Sequence, residues 1–75
     1  MSAIFVSEAA SRAANILQKS PIKELRALTI EETSGGLCIY GSLSSYYNKQ
    51  LAQETLRGVC VDANLVLRNQ TRVYS

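Results

Sequence analysis

Apolar residues recur at helical spacing near the start of the chain. Ala9, Ala13, Ile16 and Leu17 share one face, with Ala10 and Ala14 beside them, while Arg12, Asn15 and Lys19 take the other side. Ser7 is placed to cap this helix, and Glu8 sits at the positive end of its dipole. Ser20 and Pro21 stop it, because a residue before proline avoids the α region. Ile4, Phe5 and Val6 lie ahead of the cap, where they lengthen the helix, staple its first turn or meet another subunit.

The pattern then changes period. In "KELRALTIEET", Leu28 and Ile30 alternate with Ala27, Thr29 and Glu31, which predicts a first strand with Leu28 and Ile30 inward. Thr33, Ser34, Gly35 and Gly36 mark a turn, with the glycines free to take positive φ. "LCIYGSL" predicts a second strand: Leu37, Ile39 and Leu43 point one way, Cys38 and Tyr40 the other. Ser44 or Ser45 caps a second helix running to about Arg57. Its stripe is Tyr47, Leu51 and Thr55, with Ala52 and Leu56 alongside, and Gly58 is the residue that ends it. Strict alternation in "VCVDANLVL" predicts a third strand, and "RNQTRVYS" reads as a fraying tail.

The expected order is αββαβ. It corresponds to an α+β fold, a two-layer sandwich with a three-stranded mixed sheet and two helices on one face. The expected core rests on Leu28, Ile30, Leu37, Ile39, Leu51, Leu56, Leu65 and Leu67. The outer sheet face is expected to carry Ala27, Thr29, Cys38, Tyr40, Asn64 and Val66, an uncharged set for a surface left in water. Self-association through that face, or through a sheet edge, is the reading this favours.

Seventy-five residues allow one domain with a thin core, for which oligomerisation is a plausible support. The net charge of +2 comes from eight basic residues that never form a run, which argues against nucleic acid as a partner. Cys38 and Cys60 lack CxxC spacing, and with no histidine in the chain no metal set or cofactor site is expected. Without histidine a serine would also need an unusual base; Ser42, Ser44 and Ser45 read as turn and cap residues, and no catalytic residue is expected. The first residues lack the charged start of a secretory signal, so the expected compartment is the cytoplasm, with the periplasm or envelope as the alternative.

The region from about Ser20 to Leu67 resembles a BON domain, the bacterial OsmY and nodulation module. The resemblance lies in "LRALTIEE", the turn "SGG", "LCIYGSLSS" with Gly41 at the family's strand-two glycine, "SYYNKQLAQE", and the "GV" of Gly58 and Val59. The chain thus looks like one BON-like unit over residues 1–75, with its core at about 20–67 and a tail at 68–75. Gly35, Gly36, Gly41 and Gly58 are its structural glycines. It departs from the family in two ways. Asn64-Leu65 falls about one residue early for the Asn-x-Leu-x-Val close, which predicts a bulge or shifted register in the third strand. There is also a single copy and no visible export signal.

The resemblance implies binding rather than catalysis. Two uses follow. One is an interaction module acting as a homo-oligomer or protein adaptor, with Tyr40 and Tyr46 as aromatic contacts. The other is docking on anionic phospholipid or an envelope component through Arg12, Lys19 and Lys23. The basic set is thin, so the interaction module is the preferred expectation.

Overall fold

The computed structural model describes residues 8–74. Its elements are α1 (Glu8–Gln18), α2 (Lys23–Arg26), β1 (Thr29–Thr33), β2 (Gly36–Leu43), α3 (Tyr46–Asp62) and β3 (Val66–Val73). The sheet order is β1-β2-β3, with β1 antiparallel and β3 parallel to β2. The fold is therefore α+β with a mixed three-stranded sheet. The proposed cap Ser7 and the apolar Ile4, Phe5 and Val6 lie outside the described residues.

Helix α1 forms as its spacing predicts. Ala9, Ala10, Ala13 and Leu17 are buried, and the small alanines let α1 lie close to α3 and β1. Ser20 then redirects the chain: its hydroxyl accepts from the Ile22 amide at 3.0 Å, and its carbonyl accepts from the Arg26 guanidinium at 2.8 Å. The segment expected to lead into β1 instead makes the one-turn helix α2, which drives Leu25 into the core. The predicted hairpin forms, with Ser34 and Gly35 as a two-residue loop between the paired Thr33 and Gly36, and within that turn only Gly35 takes positive φ (78°).

The second half differs from expectation. Gly58 does not end α3; the helix runs on to Asp62, and Val59 and Cys60 are helical and buried rather than in a strand. Ala52, Leu56, Val59 and Cys60 recur at helical spacing, and that period overrides the alternation read through the same residues. The real stop is Asn64, at φ 58°. The Leu65 amide donates to the Cys60 carbonyl at 2.8 Å and the Asn64 amide to that of Val61 at 3.1 Å, a Schellman closure. Ser45 is the N-cap, its hydroxyl accepting from the Asn48 amide. Tyr47, placed in the core stripe from sequence, is 72% exposed because the buried face of α3 is rotated toward Ala52 and Leu56.

With α3 longer, the third strand begins at Val66, and residues 66–73 form an edge strand rather than a fraying tail. Its pairing with β2 is continuous from Gly36–Val66 to Leu43–Val73, with no bulge. Asn69 and Thr71 fall on the helix-facing side of β3. Asn69 donates to the Lys49 carbonyl at 2.9 Å and accepts from the Thr71 amide and hydroxyl, while the Lys49 ammonium donates to the Thr71 carbonyl. Polar bonding thus replaces apolar packing along this seam, and the buried Thr71 is satisfied.

The largest fully buried side chains are Leu25, Leu37, Ile39, Leu43 and Leu56, each contributing ~1.5–3 kcal/mol. Of the expected core, Leu37, Ile39 and Leu56 are fully buried. Leu28, Ile30, Leu51, Leu65 and Leu67 are only partly buried around them. A second polar junction ties the ends together. The Glu24 carboxylate accepts from the Ser44 amide at 3.1 Å, from Asn48 Nδ2 at 2.9 Å and from the Tyr74 hydroxyl at 3.5 Å. The Ser44 amide, followed by the Asn48 side chain, holds this carboxyl below its ordinary value of 4.5.

Two of the glycines make opposite demands. Gly41 lies at φ 146°, and a Cβ there would meet Leu28 Cδ2 at 2.5 Å. Gly58 is inside a helix with open space around it. Gly41→Ala is expected to destabilise by about 1–3 kcal/mol, and Gly58→Ala to stabilise by about 0.5–1 kcal/mol. Urea unfolding midpoints of the two variants check both. The Glu24 contribution is present above the ordinary carboxyl value and is lost as pH falls through the lowered one. The stability difference between wild type and Glu24→Gln should therefore shrink on acidification, as read by urea unfolding at neutral and acid pH.

Candidate functional site

The helices cover one face of the sheet and leave the other open. On β2, Leu37 and Ile39 enter the core, so Cys38 and Tyr40 point outward. Cross-strand pairing sets the open face in rows. Thr33, Gly36 and Val66 make one, Glu31, Cys38 and Arg68 the next, and Thr29, Tyr40 and Gln70 the third. Over part of these rows lies a shallow groove of about 490 Å³, lined by Thr33, Gly36, Cys38, Tyr40, Val66, Arg68 and Gln70 together with the turn residues Ser34 and Gly35, while Thr29 and Glu31 lie outside its lining.

This face is more charged than expected from sequence. Thr29, Cys38, Tyr40 and Val66 stand where they were placed, but Ala27 precedes β1 and Asn64 is the positive-φ residue just past the C-cap of α3. The later start of β3 brings in Arg68, Gln70 and Arg72 instead. Tyr40 donates to Glu31 Oε1 at 2.9 Å across the hairpin. The Glu31 carboxylate, with Cys38 beside it, pushes the Tyr40 phenol up to about 12, so the ring is a neutral hydrogen-bond donor at ordinary pH. Cys38 is 5% exposed at the groove floor, although it belongs to the open side of the sheet. Cys60 lies on α3 in the core, on the far side of the sheet, and burial pushes its thiol up. Both thiols are free.

The remaining sequence candidates are dispersed. Tyr46 opens α3 and is 64% exposed. Arg12 lies 3.9 Å from Asp62 at the end of α3, so its charge is shared with an acid. Lys19 follows α1, and Lys23 is the first residue of α2. Lys19 borders a second cleft of about 350 Å³ among the helices, lined chiefly by Ile16, Ile22, Leu25 and Leu51. The five residues therefore form no single site: Tyr40 is on the open sheet face, while the three cations belong to the helical layer. Sequence reading missed Arg68 and Gln70 because it ended the third strand at Leu67; their alternation with Leu67 and Asn69 was the available signal.

Among the described residues no cluster of three His, Cys, Asp or Glu side chains could hold a metal. No helix among them is long and apolar enough to cross a membrane. The class that the geometry defines is an α+β sandwich with one roofed and one open sheet face. No family model, curated protein or solved structure matches the chain.

The Tyr40–Glu31 bond has a spectroscopic signature. The bond favours the folded state while the phenol is protonated. Its contribution is present below the ordinary tyrosine value of 10.0 and is lost as pH rises through about 12. Absorbance titration should show one late-ionising phenol that is missing from Tyr40→Phe.

Proposed function

We propose that this chain is a non-enzymatic interaction module of BON type that works as a homo-oligomer, with the open sheet face as its contact. The observation that carries this reading is the groove over Cys38, where aromatic, apolar and charged side chains are presented on a face that the described residues do not cover. Aromatic and arginine side chains are the types that anchor protein contacts, and Tyr40 and Arg68 supply one of each. The non-enzymatic part is supported by the chemistry of the same face. A phenol held near 12 beside a carboxylate is no base at neutral pH.

A second reading has its own observation. The helical cleft lined by Ile16, Ile22, Leu25 and Leu51 has Lys19 beside it, an arrangement of apolar surface and cation that suits an anionic lipid. Arg12 contributes less to this than sequence implied, because Asp62 offsets its charge.

Sedimentation equilibrium distinguishes the two. The expected result is a mass twice that of the chain, reduced toward the monomer by Tyr40→Glu, which sets a second carboxylate beside Glu31. A monomer at millimolar concentration that co-sediments with anionic vesicles, and loses this with Lys19→Glu, would overturn the first reading in favour of the second.

A further inference from the structure

The open face also specifies how a second copy would sit on it, an inference that rests on the homo-oligomer reading. The relevant row is Glu31 on β1, Cys38 on β2 and Arg68 on β3. Two strand spacings separate its ends, roughly 10 Å between backbones, and because side chains stand off the sheet rather than along it, Glu31 and Arg68 of one chain form no ion pair with each other. Arg68 makes no ion pair among the described residues. Glu31 is held by a neutral phenol, so its charge is oriented but not neutralised. The face therefore presents an oriented anion on one side of β2 and an exposed cation on the other, at the same height along the strand.

We infer that two copies dock face to face about a two-fold axis that runs along β2, with Glu31 of each copy paired to Arg68 of the other. A dimer of two identical faces requires a two-fold lying in the plane between them. An axis along β2 exchanges the sides of the sheet and keeps the height. It sets β1 of one copy over β3 of the other, so each Glu31 meets an Arg68 and the contact is made twice. An axis along the row, at right angles to β2, keeps the sides. It sets Glu31 over Glu31 and Arg68 over Arg68, and like charges facing across a contact oppose binding. The charges choose the first arrangement.

The distances fit. Stacked sheets lie about 10 Å apart, a gap that the extended side chains of Glu31 and Arg68 together span. An axis within about 15° of β2 yields the ~30° angle of aligned sheet packing. The β2 residues fall on the axis, so Tyr40 packs near Tyr40 of the other copy, its hydroxyl already bonded to Glu31. Cys38 faces Cys38 across the same gap, beyond the roughly 7 Å between α-carbons that a disulfide tolerates, so the contact forms without oxidation.

The experiment is charge reversal read by sedimentation. Glu31→Arg places four cations and Arg68→Glu four anions across the contact. Each alone is expected to weaken dimerisation by about tenfold to a hundredfold. The double variant Glu31→Arg/Arg68→Glu restores both pairs and dimerises like wild type. An equimolar mixture of the two single variants forms the mixed dimer, which also shows that each single variant is folded. A wild-type dimer that the single variants leave unchanged would overturn this arrangement while leaving self-association intact. A wild-type monomer would overturn the homo-oligomer reading itself.

Discussion

Strand β2 is hydrogen-bonded on both sides, and the rest of the fold is arranged around that double pairing. Its inward residues Leu37, Ile39 and Leu43 are fully buried. α1, α2 and α3 supply the other half of the same cluster through Ala13, Leu17, Leu25, Ala52 and Leu56. A chain of this length can fill one apolar layer and no more. Once β2 gives one row of side chains to that layer, its alternate row is committed to the opposite face. The open face with Cys38 and Tyr40 is thus a geometric consequence of the core.

Only part of the remaining stability is apolar. The seam between α3 and β3 is closed by Asn69, Thr71 and Lys49, and the end of the molecule is tied by Glu24 to Ser44, Asn48 and Tyr74. Such bonds are directional and fix a register where shape alone would leave freedom. In the parallel pair of β2 and β3, sliding by one residue would turn Asn69 and Thr71 outward and bring Arg68 and Gln70 against α3. The polar seam therefore also determines which side chains reach the open face.

That link connects fold to proposed use. The groove over Cys38 joins an antiparallel hairpin to a strand that arrives through a helix, so residues from two distant segments meet in single rows. Glu31 and Arg68 are 37 positions apart in the chain, yet share a height on the sheet. The phenol of Tyr40 orients the acid, and Arg68 makes no ion pair with it. The proposed contact with a second copy would use the two charges that form no ion pair among the described residues. The helical cleft beside Lys19 belongs to the opposite layer, so lipid docking and self-association would use separate surfaces.

The local sequence determined the α1 face, the Ser20–Pro21 break, the hairpin with its Gly35 turn, and the α+β class, because each rests on near-neighbour periodicity or on residues with restricted backbone freedom. It also placed Tyr40 outward and Gly41 at a special position, which the positive φ and the nearness of Leu28 explain. Where α3 ends and β3 begins was decided by tertiary structure. Residues 59–67 carry both a helical and a strand period, and burial of Val59 and Cys60 against the core selects the helix. Asn69 and Thr71 looked like tail residues because their partners, Lys49 and Gln53, are on another element. Arg68 joins the open face for the same reason: its place depends on a strand pairing that no stretch of neighbouring residues encodes.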